Sequence, residues 1–182
     1  LTRTLEAKPG EDGLTKVDVY MSLDDVQRAQ GPGGVMLALG GFEAALRVTG
    51  AEPLAIQKAI VVPHRDFAGE PNQVWAGVSS EGERIDDGPL ELVQWTVVFQ
   101  GQPENVRFDL DPAGLLSCKG LPGCPEANAQ ALYAGPVDVR QEAYLFAAGC
   151  APAYLNPVGE PDLSVDAVKV GVNEAGVFKL VD

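Results

Sequence analysis

The chain has 182 residues, 46% of them hydrophobic, and its 26 acidic and 13 basic residues give a formal net charge of −13. Such a chain is long and apolar enough to bury the core of one domain, which excludes an intrinsically disordered protein. The acidic balance, without any basic stripe, argues against a nucleic-acid partner because it repels a phosphate backbone. No apolar run approaches the roughly 18 residues of a membrane-spanning helix.

The first 13 residues are polar and contain a Pro-Gly break followed by an acidic turn. We expect residues 1–13 to form an arm or an edge strand, and residues 14–182 to form a single domain. The chain begins at Leu1 and shows no signal peptide, a pattern typical of a processed product. An extracellular location, with the signal peptide removed, is the expectation that follows.

Leu14–Leu23 is the first predicted strand. Because side chains alternate between the two faces of a strand, Val17, Val19 and Met21 share one face and Tyr20 lies on the other. The apolar face predicts contact with a core and the polar face predicts contact with solvent.

Residues 41–50 begin and end with glycine, and their side chains are expected to alternate between the two faces of a strand in the same way. Their expected core-facing residues are Phe42, Ala44, Leu46 and Val48. The opposite face, which begins at Glu43, is expected to be exposed to solvent. Residues 35–39 and 42–49 are predicted to be one long strand kinked at Gly40-Gly41, since glycines inside a strand often mark a bulge.

Further strands are predicted where β-branched and aromatic residues lie between turn residues. They are residues 54–62 (a buried strand, favoured over a short helix by its β-branched end), 73–79, 90–100, 106–110, 138–147, 163–172 and 177–181. The last two are expected to form a hairpin after a turn at residues 156–161. Short helices are predicted over residues 24–30 and, after the proline at position 125, over residues 125–133. Together these elements predict an all-β fold, a two-sheet antiparallel β-sandwich with one or two short helices.

His64 is the only histidine, and Asp66 follows two residues later. Ser-His-Asp catalysis would need this histidine. However, the chain has no Gly-x-Ser-x-Gly turn or similar nucleophile context, and a lone histidine excludes multi-histidine zinc sites. The pattern favours a loop histidine beside an ion pair, and we predict that the protein is not an enzyme.

Three cysteines lie at Cys118, Cys124 and Cys150. The first two enclose five residues of a Gly/Pro-containing loop, and they lack the Cys-x-x-Cys spacing and histidine partners of zinc sites. We predict a structural disulfide between Cys118 and Cys124 in an oxidising compartment, with Cys150 as an alternative partner for either one.

Asp109 and Asp111 lie at the end of a predicted strand, which would hold them in place. Calcium prefers carboxylate and carbonyl oxygens, so this pair is the first candidate for a calcium site. No acidic cluster matches the twelve-residue calcium loop, and solvated loop acids remain the alternative. Tyr20 is the exposed aromatic residue best placed to stack on a carbohydrate. No other cofactor is expected.

Three segments resemble the strands of cohesin and related bacterial carbohydrate-binding sandwiches. They are residues 17–23 (a Val-rich strand), 41–48 (Gly-Phe followed by Leu) and 87–99 (Asp-Gly-Pro-Leu running to Phe). The Asp-Pro that follows the second strand in cohesins is missing here, and the cysteine region has no cohesin counterpart. The resemblance therefore implies a secreted, non-catalytic module, and it does not imply dockerin binding.

Two functional hypotheses follow. In the first, the protein is a secreted structural or adhesive protein that associates with copies of itself into an assembly such as a filament. Its arm, with the residues Leu1, Thr2, Arg3, Thr4 and Leu5, adds a strand to the sheet of a neighbour. In the second, the protein is a carbohydrate-binding or cohesin-like protein-binding module, assisted by calcium.

Overall fold

The computed structural model describes residues 3–23, 37–78, 90–111, 129–136, 144–149, 152–163, 170–172 and 178–180. These residues form strands and turns without a helix. The strands are β1 (Thr4–Leu5), β2 (Leu14–Leu23), β3 (Leu37–Thr49), β4 (Ala55–Ile60), β5 (His64–Ala68), β6 (Gln73–Val78), β7 (Leu90–Gln100), β8 (Val106–Leu110), β9 (Ala129–Pro136), β10 (Tyr144–Gly149), β11 (Ala153–Leu155), β12 (Val170–Val172) and β13 (Phe178–Leu180). The predicted all-β fold is confirmed.

The larger sheet has the strand order β1-β11-β8-β3-β6-β5, with β9 also paired to β3 and β10 paired to β9. The long strand β3 is its centre. It pairs with β6 along one side, and on the other side it pairs first with β9 and then with β8. All pairs in this sheet are antiparallel except β1–β11, which is parallel.

The smaller sheet has the order β2-β7-β4, with both pairs antiparallel. A hydrophobic core lies between the two sheets, because the buried cluster takes side chains from both of them. Trp95 and Phe99 on β7, Phe42 on β3 and Leu155 on β11 are its largest fully buried members, together with Leu92. Two facing sheets around one core define the predicted β-sandwich.

The kink predicted at Gly40-Gly41 is confirmed. The pairing of β3 with β9 shifts register between Leu39 and Gly41. A Cβ on Gly41 would lie 2.8 Å from the Ala76 carbonyl oxygen, so the close approach of β6 requires glycine here. The prediction that the Glu43 face of this strand is exposed to solvent is wrong here, because Glu43 is buried. Alternation reports the direction of side chains and not what covers each face.

Other elements differ in detail. The helix predicted over residues 125–133 is wrong from residue 129 onward, because β9 is a strand that pairs with β3 and β10. The strand predicted over residues 54–62 forms as β4, but it alternates between exposed and half-buried residues and is not fully buried. The terminal hairpin is confirmed as the antiparallel pair β12–β13. The helix predicted over residues 24–30 lies outside the described residues.

Candidate interaction surfaces

The arm lies against its own chain as the edge strand β1. Thr4 and Leu5 run parallel to Tyr154 and Leu155 on β11. The Tyr154 N–H donates to the Arg3 carbonyl over 2.8 Å, and the Arg3 guanidinium donates to the Leu163 carbonyl over 3.1 Å. On its own side the arm makes most of its polar contacts with backbone groups, those of Arg3, Leu5 and Ala7, while the Leu5 side chain is 47% exposed. Leu1 and Thr2 lie outside the described residues.

Asn156 fastens the arm to the domain. Its backbone N–H donates to the Leu5 carbonyl over 2.8 Å. Its side-chain oxygen accepts from the Ala7 N–H over 2.8 Å, and Nδ2 donates to the carbonyls of Ala7 (3.0 Å) and Pro103 (2.7 Å). The residue has φ of 47°, a left-handed conformation that asparagine tolerates better than most residues. Asn156 thus joins three segments, and we call these contacts the Asn156 latch.

A tight turn connects the arm to β2. The Gly10 N–H donates to the Leu14 carbonyl over 2.9 Å, and Gly13 has φ of 74°. The Asp12 carboxylate accepts from Lys16 Nζ over 2.7 Å and from the Leu14 N–H over 3.1 Å. These hydrogen bonds, that from Lys16 first, lower the pKa of Asp12 below its ordinary value of 3.8. The turn determines where the arm leaves the smaller sheet.

The outer face of the smaller sheet presents Tyr20 among polar side chains. The Tyr20 side chain is 43% exposed, which confirms that it faces solvent. It lies opposite Gln94 on β7, and the next row across the sheet is Asp18, Thr96 and Gln57. Thr96 Oγ1 donates to Asp18 Oδ1 over 2.6 Å. One aromatic ring therefore stands among amide and hydroxyl groups that donate and accept hydrogen bonds.

Asp109 is buried beneath two arginines on the outer face of the larger sheet. Arg107 Nε lies 2.9 and 3.0 Å from its two carboxylate oxygens, and Arg47 lies 3.6 Å away on β3. The hydrogen bond to Asp109 raises the pKa of Arg107, whose guanidinium also lies 5.7 Å from the ring centroid of Tyr154. The carboxylate proposed as a calcium ligand is engaged in these contacts, while Asp111 is only half-buried. Calcium binding by this pair stays a prediction.

His64 begins β5 instead of lying in a loop. Its Nδ1 donates to the Val62 carbonyl over 3.0 Å, and its ring packs edge-on against Phe67 with centroids 5.6 Å apart. The cysteines at positions 118, 124 and 150 lie outside the described residues. Within the part of the chain that the structure describes, no group of three His, Cys, Asp or Glu side chains is arranged to hold a metal ion, and no helix is long and apolar enough to cross a membrane.

Lys58 forms a contact that the sequence did not predict. Its ammonium donates to three backbone carbonyls of the β5–β6 turn, those of Gly69 (2.6 Å), Glu70 (2.8 Å) and Gln73 (2.5 Å). Because Lys58 lies on β4, this contact ties the edge of one sheet to the edge of the other. Burial lowers the pKa of the Lys58 amine. The only sequence signal was the pair Gln57-Lys58 inside an otherwise apolar segment.

No protein-family model matches the chain, and comparison with curated proteins and with solved structures found no significant similarity. The resemblance to cohesin-like modules therefore stays a prediction. The structure defines the chain as an all-β sandwich, and its function has to be argued from its surfaces.

Proposed function

We propose that this protein is a secreted, non-catalytic structural protein that associates with copies of itself through strand addition. The donor is the arm at residues 1–8 and the acceptor is the edge of β11. The observation that carries this proposal is the docking of β1 on β11, which makes the arm an edge strand that contributes mostly its own backbone groups to its hydrogen bonds. Backbone pairing of this kind gives affinity without demanding a particular side chain at each position.

An exchanged arm would keep every contact that the arm makes within one chain. A neighbouring arm on β11 would form the same hydrogen bonds to Tyr154 and the same latch with Asn156. Only the turn at residues 8–13 would have to open. Exchange of the arm between chains is therefore controlled by the free energy needed to open that turn and by the protein concentration. Each copy would donate one arm and accept one, so the contact is head-to-tail, and such a contact forms a filament unless it closes into a ring.

The test removes residues 1–8 and compares the truncated protein with the full chain. We expect the full chain to form concentration-dependent polymers on a sizing column and in negative-stain images. The truncated protein should stay folded, by circular dichroism, and should not polymerise. A synthetic peptide of residues 1–8, added in excess, should shorten the polymers of the full chain by occupying β11. Unchanged assembly after the deletion would contradict the proposal.

A second candidate function is carbohydrate binding on the outer face of the smaller sheet. The observation that favours it is the exposed ring of Tyr20 opposite the amide of Gln94, with Gln57 two strands away in the next row of the sheet. A sugar ring stacks on an aromatic face, while amide groups match its hydroxyls in both directions.

The matching experiment measures glycan-array binding of the wild-type protein and of two variants. Tyr20→Ala should lose binding, whereas Trp75→Ala, which removes another exposed aromatic on the larger sheet, should retain it. Loss of binding with a chelator would indicate the calcium dependence expected from the sequence. Equal binding by the two variants would contradict this second candidate.

A further inference from the structure

The arm is bound to β11 through the backbone of alternate residues. The two strands are parallel. The Tyr154 N–H donates to the Arg3 carbonyl and the Asn156 N–H donates to the Leu5 carbonyl, each over 2.8 Å. Such bonds repeat at every second residue of a parallel pair. They therefore do not distinguish the observed register of the arm from one that is shifted by two residues.

The side chain of Asn156 continues this series where the main chain of β11 does not. β11 ends at Leu155, and the φ of 47° at Asn156 turns the main chain out of the extended conformation. The Asn156 amide accepts from the Ala7 N–H over 2.8 Å and donates to the Ala7 carbonyl over 3.0 Å. A side-chain amide offers the same donor and acceptor as a peptide group, so it binds Ala7 as a further residue of a paired strand would. Its Nδ2 also donates to the Pro103 carbonyl over 2.7 Å, which fixes the orientation of the amide.

The Asn156 latch imposes two requirements on the residue that it binds. That residue needs a backbone N–H, because Oδ1 of Asn156 accepts one. It also needs a small side chain, because Ala7 is half-buried and packs against the hydrophobic core, whereas the Leu5 side chain is 47% exposed. A larger side chain at the latch would have to displace closely packed neighbours.

The sequence of the arm meets both requirements in one register. A shift of two residues in one direction would bring the larger side chain of Leu5 to the latch. A shift of two residues in the other direction would bring Pro9, which has no N–H. A shift of one residue would place every side chain of the arm on the opposite face of the sheet. Ala7 is thus the residue that sets the register.

We propose that Asn156 is the specificity-determining residue of the β11 edge, which accepts an extended peptide parallel to β11 in the register that places Ala7 at the latch. The site recognises an unsubstituted amide and a small side chain at that position. The occupant is the arm of a second copy, a choice that rests on the function proposed above. One fixed register gives every contact between copies the same geometry, as a regular assembly of identical chains requires.

The test measures peptide binding to the full-length variant Ala7→Pro, whose own arm lacks the N–H that the latch binds. A fluorescent peptide of residues 1–8 is bound to this variant, and its displacement by unlabelled peptides is followed by fluorescence anisotropy. A peptide with an N-methyl group on Ala7 should compete about tenfold less well or worse, because the Asn156 oxygen loses its donor. A peptide with Ala7→Leu should also compete about tenfold less well.

The matched control is a peptide with its N-methyl group on Glu6, an exposed residue between two that β11 binds. It should compete within about threefold of the unmodified peptide, because the N–H groups of intervening residues point away from the paired strand. A second reading uses the isotope-labelled wild-type chain. Excess unlabelled peptide should displace the arm, so the NMR signal of the Ala7 amide should move to its disordered position, with the peptides in the same order. This reading does not require Ala7→Pro to fold.

Three results would overturn the proposal: equal competition by the peptides methylated at Ala7 and at Glu6, undiminished competition by the Ala7→Leu peptide, or no binding of the unmodified peptide in either reading. The function proposed above fails separately. If the peptides bind in the expected order and the full chain does not polymerise, the peptide site stands and the filament does not. If arm-dependent polymers form while methylation of Ala7 has no effect, the filament stands and the selectivity of the latch does not.

Discussion

Replacing Asn156 by glycine should release the arm without straining the backbone. The substitution removes the side-chain hydrogen bonds to the Ala7 N–H, the Ala7 carbonyl and the Pro103 carbonyl. Each such bond contributes about 0.5–1.5 kcal/mol net, so the loss of three predicts a decrease of about 2–4 kcal/mol in the free energy of unfolding. Glycine adopts the left-handed φ of 47° at this position readily.

Urea denaturation followed by circular dichroism measures this free energy, and a thermal melt provides a second reading. In a domain of 182 residues, the decrease corresponds to a drop in Tm of about 4–16 °C. Asn156→Ala should be about 1 kcal/mol less stable than Asn156→Gly, because alanine disfavours the left-handed region.

Asn105→Gly is the matched control for this prediction. Asn105 also has a positive φ, of 52°, but its exposed side chain makes no hydrogen bond within the described residues. We expect this control to change the free energy of unfolding by less than about 0.5 kcal/mol. If Asn156→Gly were as stable as this control, the latch would have no energetic role and the reasoning would be wrong.

Three further predictions concern other contacts. Lys58→Met should destabilise the protein by about 1–3 kcal/mol and speed amide hydrogen exchange in the β5–β6 turn, since three carbonyls lose a charged donor; unchanged exchange there would contradict it. Gly41→Ala should cost about 1–3 kcal/mol in urea denaturation, because the new Cβ would meet the Ala76 carbonyl; a wild-type midpoint would show that β6 moves aside freely. The folded-state pKa of Asp12 is below 3.8, so its contact with Lys16 stabilises the fold above pH 3.8 and is lost as the pH falls through the folded value. Thermal melts of Asp12→Asn should therefore depend less on pH below 3.8 than those of the wild-type protein, and parallel curves would refute the role of this carboxylate.

The local features of the fold were predictable because each depends on neighbours in sequence. The kink of β3 follows from two adjacent glycines, the β12–β13 hairpin from a turn between two apolar segments, and the exposure of Tyr20 from its place in an alternating strand. Each of these signals lies within about ten residues, which is the range that period-2 alternation covers.

Features that depend on distant segments were not predictable. Helix-forming residues favoured a helix over residues 125–133, but pairing with β3 and β10 makes β9 a strand, since tertiary context overrides local propensity. The sequence also indicated a turn at Asn156 without indicating what its side chain holds. Lys58 is similar, because the three carbonyls that bind it belong to a turn of the other sheet.

The distance along the chain between the arm and its latch has a consequence for biosynthesis. Asn156 lies 149 residues beyond Ala7, and a ribosome adds roughly 5–20 residues per second. Residues 3–7 therefore leave the ribosome roughly seven to thirty seconds before β11 exists to receive them. Under the proposed exchange, a nascent arm would meet β11 of a completed neighbour during that interval, so crowding of translating chains would favour exchange over closure within one molecule.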